Sequence, residues 1–175
     1  MRTLITIVML MIPPIMVAPT SSNLLPEQPI IYEKVVINNM DLFLHDLGYQ
    51  ESGNKYDIVN RFGYMGRYQF GKSTLRTLKI KVTNEAFLSS PDLQEYAMLQ
   101  NLLYNKKKLQ KYINKYEGKI HNGILITESG ILAAAHLGGA GSVKKYFRSG
   151  KIMKDGNGIK ITSYLERFGG YQLNI

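Results

Sequence analysis

Glycine interrupts the stretch from Glu51 to Gly71 so often that no regular helix can run through it. The stretch reads Glu-Ser-Gly-Asn-Lys-Tyr-Asp-Ile-Val-Asn-Arg-Phe-Gly-Tyr-Met-Gly-Arg-Tyr-Gln-Phe-Gly. The chain on either side carries helical periodicity, so any fold must seat a short, aromatic, turn-rich insertion between helices. Ahead of it, an asparagine cap at Asn38 or Asn39, Asp41 in the first turn, and Met40, Leu42, Phe43 and Leu47 at helical spacing predict a helix. Gly48 falls near its end, the pattern carries toward Glu51, and Gly53 stops it.

Beyond the insertion, helical signals dominate. Lys72 to Leu78 reads as a short helix capped by Ser73 or Thr74. Ser89-Ser90-Pro91-Asp92 opens the longest helical segment, with a serine cap, proline in the first turn, and Asp92 and Glu95 where the helix dipole favours acids. Leu93, Tyr96, Ala97, Leu99, Leu102 and Leu103 are its expected apolar side, and the pattern reaches Tyr116. Gly118 to Ile126 reads as a loop with an extended piece at Ile124-Leu125-Ile126. Thr127-Glu128-Ser129 caps a helix from Gly130 to Leu137, Gly138-Gly139-Ala140-Gly141 ends it, and Ser142 starts another through Phe147. Asp155-Gly156-Asn157-Gly158 is a turn signature, lacking the further acids and final glutamate of an EF-hand loop. Thr162-Ser163 caps a last short helix that closes at Gly169-Gly170. The expected fold class is mainly α, with one small β-rich or irregular insertion after Glu51.

The 175 residues suit one domain with its own core. A hydrophobic content of 45% with 20% charged residues excludes a disordered chain. The net charge of +9 favours an anionic partner: nucleic acid, lipid headgroups or an acidic wall polymer. No nucleic-acid motif accompanies the charge, so no nucleic-acid partner is expected. The absence of cysteine excludes disulfides and cysteine-ligated metals. At the N-terminus, Met1-Arg2-Thr3 precedes an apolar run from Leu4 to Val17 and a small, polar exit from Ala18 to Ser22. This predicts a signal peptide over residues 1–22, with an N-terminal anchor as the alternative. The run is shorter than the roughly 20 residues a spanning helix needs, and Pro13-Pro14 interrupts it. Residues 23–38 read as a linker and 39–175 as the domain. Export to the periplasm, or to an extracellular or cell-wall compartment, is expected. An uncleaved leader would add a transient membrane contact. The chain is expected to be a monomer.

A carboxyl group at a helix end beside an aromatic loop has what glycosidic-bond chemistry needs. The acid keeps its proton until it meets the glycosidic oxygen, and flat rings hold the C–H faces of sugars. Glu51 is that acid, with Tyr56, Tyr64, Tyr68 and Phe70 nearby, while Gly63 and Gly66 let backbone approach a ligand. The competing reading is a solvated surface acid. Asp57 is either a second carboxylate, which would favour hydrolysis, or a loop acid bonded to its own backbone, and the second reading is preferred. His136, in an apolar helix, is either a packed histidine or a substrate contact. His45 and His121 show no ligand spacing with acids, so no metal and no cofactor are expected. The lysines at 106, 107, 108, 111 and 115 read as a solvated helix face; their second reading is salt-sensitive attraction to an anionic wall.

Glu-Ser-Gly, Gly-Tyr-Met-Gly-Arg-Tyr-Gln-Phe-Gly, Ala-Ala-Ala-His-Leu-Gly-Gly-Ala-Gly and a closing Phe-Gly-Gly-Tyr occur in that order. The ordered set resembles the peptidoglycan lytic transglycosylases of the lysozyme-like superfamily, especially their phage and bacterial wall-hydrolase branch, over roughly residues 39–171. The resemblance implies a lysozyme-like fold with Glu51 as the single catalytic acid. It implies substrate contacts at Gln69 and along Ala135–Gly139, so that with Ser52 and the aromatic residues Tyr56, Tyr64 and Tyr68 the expected substrate-binding set also holds Gln69, His136 and Gly138. It further implies cleavage of the β-1,4 bond between N-acetylmuramic acid and N-acetylglucosamine, leaving 1,6-anhydro ends, with peptidoglycan glycan strands as the partner. Ala135-His136-Leu137-Gly138-Gly139 stands where many members have Ala-Tyr-Asn-Ala-Gly, and this departure leaves the contact to the sugar's N-acetyl group unassigned. Two rivals stay open: a hydrolytic lysozyme on the same fold, and a non-catalytic peptidoglycan-binding or assembly module.

Overall fold

The computed structural model describes residues 40–175, so the expected leader and linker lie outside the described residues. The described chain is mainly helical, in the order α1 (Met40–Ser52), α2 (Lys72–Thr77), α3 (Asn84–Leu88), α4 (Pro91–Tyr116), β1 (Ile120–His121), β2 (Ile124–Leu125), α5 (Glu128–Ser149) and α6 (Ile161–Arg167). The hairpin pairs β1 and β2 antiparallel, Ile120 opposite Leu125 and His121 opposite Ile124.

Helix α5 is the axis of the core. Ile131 through Ala135 are all buried, so this part of the helix is apolar on every side and must be enclosed by other elements. The small residues set how closely its neighbours approach. A Cβ on Gly130 would lie 2.4 Å from the Leu165 carbonyl oxygen, so α5 and α6 cross nearly backbone to backbone. Thr127 caps α5, accepting from the Gly130 N–H at 3.2 Å, and the same hydroxyl accepts from the Gly170 N–H at 3.2 Å. The C-terminal segment is thereby tied to the start of the central helix.

As expected, two helical stretches meet in the Gly138–Gly141 run: α5 is broken by a kink at Gly139, whose φ of 77° and ψ of 154° are non-helical. The glycines bend the helix, and helical hydrogen bonding resumes beyond them. Helix α4 runs unbroken from its Ser90 cap, whose side chain accepts from the Leu93 N–H. Its buried side holds Gln94, Ala97, Met98, Asn101, Leu102, Asn105, Leu109 and Ile113, while Tyr96, Leu99 and Leu103 are exposed. The expected apolar side is thus corrected: the inward stripe contains three amides. Helix α3, capped by Thr83, has no counterpart in the expectations, and α6 starts at Ile161 after Lys160 rather than from a Thr162-Ser163 cap.

The insertion after α1 holds isolated antiparallel bridges, Val59 with Met65 and Met65 with Phe70. Gln94, fully buried on α4, clamps it. Its carbonyl accepts from the Arg67 N–H at 2.8 Å, and its amide donates to the Tyr56 and Phe87 carbonyls at 2.9 Å each. A Cβ on Gly66 would come within 2.0 Å of this side chain, which explains the glycine.

Candidate active site

Glu51 stands in the last turn of α1, where helix carbonyl dipoles oppose negative charge and no basic residue of the helix compensates. Gly53 and Asn54, both at positive φ, turn the chain back, and the Asn54 N–H reaches the Gly48 carbonyl at 3.1 Å. Gly48 permits this: a Cβ there would sit 2.5 Å from Asn54 Oδ1 and 2.7 Å from Arg67 Nε. The helix end is fixed from both sides, and the Glu51 side chain leaves it toward a groove.

The groove has a volume of about 340 Å³, within the range of small-ligand sites. Glu51, Tyr64, Gln69 and His136 line it, together with Asn60, Phe62, Asn101, Tyr104, Asn105 and the Asp155–Asn157 turn. Phe62, Tyr64 and Tyr104 are 48%, 46% and 38% exposed, so three rings offer faces to a ligand. Glu51 Oε1 accepts from the Tyr164 hydroxyl at 2.6 Å. Burial, and then the charge and hydrogen bond of Glu51, push the Tyr164 phenol well above its usual range, so it remains a donor. No ion pair to Glu51 occurs among the described residues.

Glu95 contrasts with it. Its carboxylate accepts from Tyr56 Oη at 2.7 Å, Arg67 Nη1 at 2.7 Å and Tyr68 Oη at 2.6 Å. Burial, followed by the hydrogen bond and charge of Glu95, raises the Tyr68 phenol well above its usual range. This acid is neutralised and held, which suits a structural role.

The network moves several expected contacts away from the groove. Tyr56 and Tyr68 spend their hydroxyls on Glu95, and Tyr68 is fully buried. Ser52 donates to the Arg67 carbonyl at 2.8 Å, locking the turn after α1. Gly138 packs beside α6, where a Cβ would lie 2.7 Å from Ile161 Cγ2. None of these four lines the groove. Asp57 is exposed and also outside it. Gln69 lines the groove with its amide donating to the Gly66 carbonyl at 2.9 Å.

His136 is both packed and groove-lining. Nε2 faces the Tyr68 carbonyl at 2.8 Å and the ring meets Phe70 edge-on at 5.5 Å. A carbonyl only accepts, so Nε2 donates, and the buried Nδ1 has no hydrogen-bond partner among the described residues. Asp155 also lines the groove, its Oδ1 accepting from the Asn157 and Ile159 N–H groups at 2.9 and 2.7 Å. This is the expected turn. Arg61 Nη2 donates to Asn157 Oδ1 at 3.0 Å, joining the insertion to that turn.

Sequence reasoning missed Tyr164, Phe62, Tyr104, Asn101, Asn105 and Asp155 as groove or acid contacts. Only the glycine-rich turn around Asp155 carried a local signal. Among the described residues, no three histidine or acidic side chains gather as a metal site would need. No helix among the described residues is long and apolar enough to cross a membrane. Of the lysines on α4, Lys106 departs from the solvated face, pairing with Glu128 at 2.9 Å and donating to the Ile175 carbonyl at 2.6 Å. Comparison with protein-family models, curated proteins and solved structures finds no match to this chain.

Proposed function

We propose that residues 39–175 form an exported lysozyme-like domain that cleaves the β-1,4 bond between N-acetylmuramic acid and N-acetylglucosamine of peptidoglycan, with Glu51 as its only acid/base. The observation that carries this reading is the setting of Glu51: a carboxyl at a helix end, in an aromatic-edged groove, with one phenol as partner and no cation among the described residues. Tyr164 fixes Oε1 and leaves Oε2 free to face the glycosidic oxygen.

The protonated carboxyl gives its proton to the glycosidic oxygen as the C1–O bond breaks. Charge developing at C1 is met by the substrate's own acetamido oxygen. The resulting carboxylate takes a proton from the muramic C6 hydroxyl as that oxygen bonds to C1. The proton lost in the first step is regained, no water is consumed, and the product ends in a 1,6-anhydro sugar.

A hydrolytic variant has one observation in its favour. Asp155, rather than Asp57, lines the same groove as Glu51 and supplies a second carboxylate. Mass spectrometry of soluble products from purified peptidoglycan separates the readings. Anhydromuropeptides from the wild type and none from Glu51→Gln are expected. Reducing-end products lost in Asp155→Asn would establish the hydrolytic route. Binding without any soluble product would make the chain a holding module.

A further inference from the structure

Two asparagines on the inward stripe of α4 have hydrogen-bonding capacity that the fold does not use. Asn101 and Asn105 are each 4% exposed and both line the groove. They lie one turn apart, and Asn105 Nδ2 donates to Asn101 Oδ1 at 2.5 Å. Among the described residues neither amide has a further hydrogen bond, although every amide carries two donors and a carbonyl that accepts twice. The pair therefore holds one unused NH2 group, on Asn101, and one unused carbonyl, on Asn105. Exchanging O and N in both amides reverses the internal bond and still leaves one NH2 and one carbonyl. The complement is independent of how the amides are assigned.

The unused NH2 and carbonyl are not among the fully buried atoms that lack a partner, so both open onto the groove they line, where a ligand can complete their bonding. Leucine at either position would fit the apolar stripe formed by Met98, Leu102 and Leu109. What matches an NH2 beside a carbonyl is a secondary amide, whose carbonyl accepts from the first and whose N–H donates to the second.

We infer that Asn101 and Asn105 form a reading pair for the acetamido group of a sugar in the groove, and that they set its preference for N-acetylated over plain hexose chains. The inference rests on the glycan-cleaving reading above. An acetamido carbonyl held by the pair's free NH2 is not free to meet C1, so the pair reads a sugar flanking the one that is cleaved. Tyr104, on the same turn of α4 and exposed at the groove, is placed to pack against that sugar.

The test uses the full chain carrying Glu51→Gln, which prevents turnover, and titration calorimetry with tri-N-acetylchitotriose and cellotriose. These differ at C2 in having an acetamido group or a hydroxyl. The acetylated sugar should bind at least roughly tenfold tighter, the effect of one or two hydrogen bonds. Asn101→Asp still accepts from Asn105 but has lost the NH2 group, and should bring the two affinities together. Asn105→Leu is a second variant, with circular dichroism confirming the fold of each. Discrimination that survives both substitutions in folded protein would overturn the assignment and leave the glycan reading intact. Binding of neither sugar by the parent protein would overturn both.

Discussion

Glu51 and Glu95 both accept phenolic hydrogen bonds, yet among the described residues only Glu95 has a cation beside it. That difference separates a structural acid from a candidate catalytic one. Tyr164→Phe should lower kcat roughly tenfold with KM nearly unchanged, because the phenol positions the acid and touches no sugar. Steady-state kinetics on soluble glycan fragments would show the split. A second prediction isolates the Gln94 clamp. Gly63 and Gly66 both have positive φ, but a Cβ meets nothing at Gly63 and Gln94 at Gly66. Gly63→Ala should cost about 1 kcal/mol and Gly66→Ala about 3 kcal/mol or more, measured by urea unfolding. Glu51 was legible in the sequence because Gly53 marks a helix end and aromatic residues follow. The inward turn of Tyr56 and Tyr68 was not, because it depends on Glu95 on a distant helix and only the fold brings it near.

Helix α4 shows why a stripe of apolar letters misleads. Tyr96, Leu99 and Leu103 share helical spacing, but the interior took the neighbouring stripe, in which Gln94 clamps the insertion and Asn101 and Asn105 face the groove. Amides score as surface residues in a pattern, so their use inside was invisible. The helix start was legible, since a serine cap followed by proline is a local signal. Ser90→Ala should therefore cost about 1 kcal/mol of stability. Gly139 is the corresponding point on α5. Its φ and ψ lie in a region open essentially to glycine alone, so Gly139→Ala should destabilise the protein by about 1–3 kcal/mol despite open space around it. Both values can be read from chemical denaturation midpoints at constant slope.

Across the molecule, tyrosines tied to carboxylates set the response to pH. Burial and then the Asp46 hydrogen bond push Tyr171 up from 10.0 to about 12, and Tyr68 and Tyr164 shift in the same direction. The folded chain then holds more protons than the unfolded one above about pH 10, so this stability is complete below that pH and is lost as pH rises. Asp46 works the other way. The Tyr171 hydrogen bond, then that of His45, lowers its pKa from 3.8, so its contribution is present above about pH 4 and fades as pH falls. Tyr171→Phe should flatten the unfolding profile at both ends while leaving the neutral plateau lower. The mainly helical class was legible because caps and glycine stops are local. The meeting of α1, α2, α4 and α5 around one groove depends on contacts between distant segments.

The Arg61–Asn157 hydrogen bond closes one side of the groove with two exposed side chains, while the opposite side rests on the buried stripes of α4 and α5. The molecule therefore has two tempos. Backbone amides of Gly63 and Gly158 should exchange with solvent through brief local openings, and those of Ala133 to Ala135 only when the whole fold opens. On the proposed reading, a glycan strand would meet a wall expected to part more readily on one side than on the other.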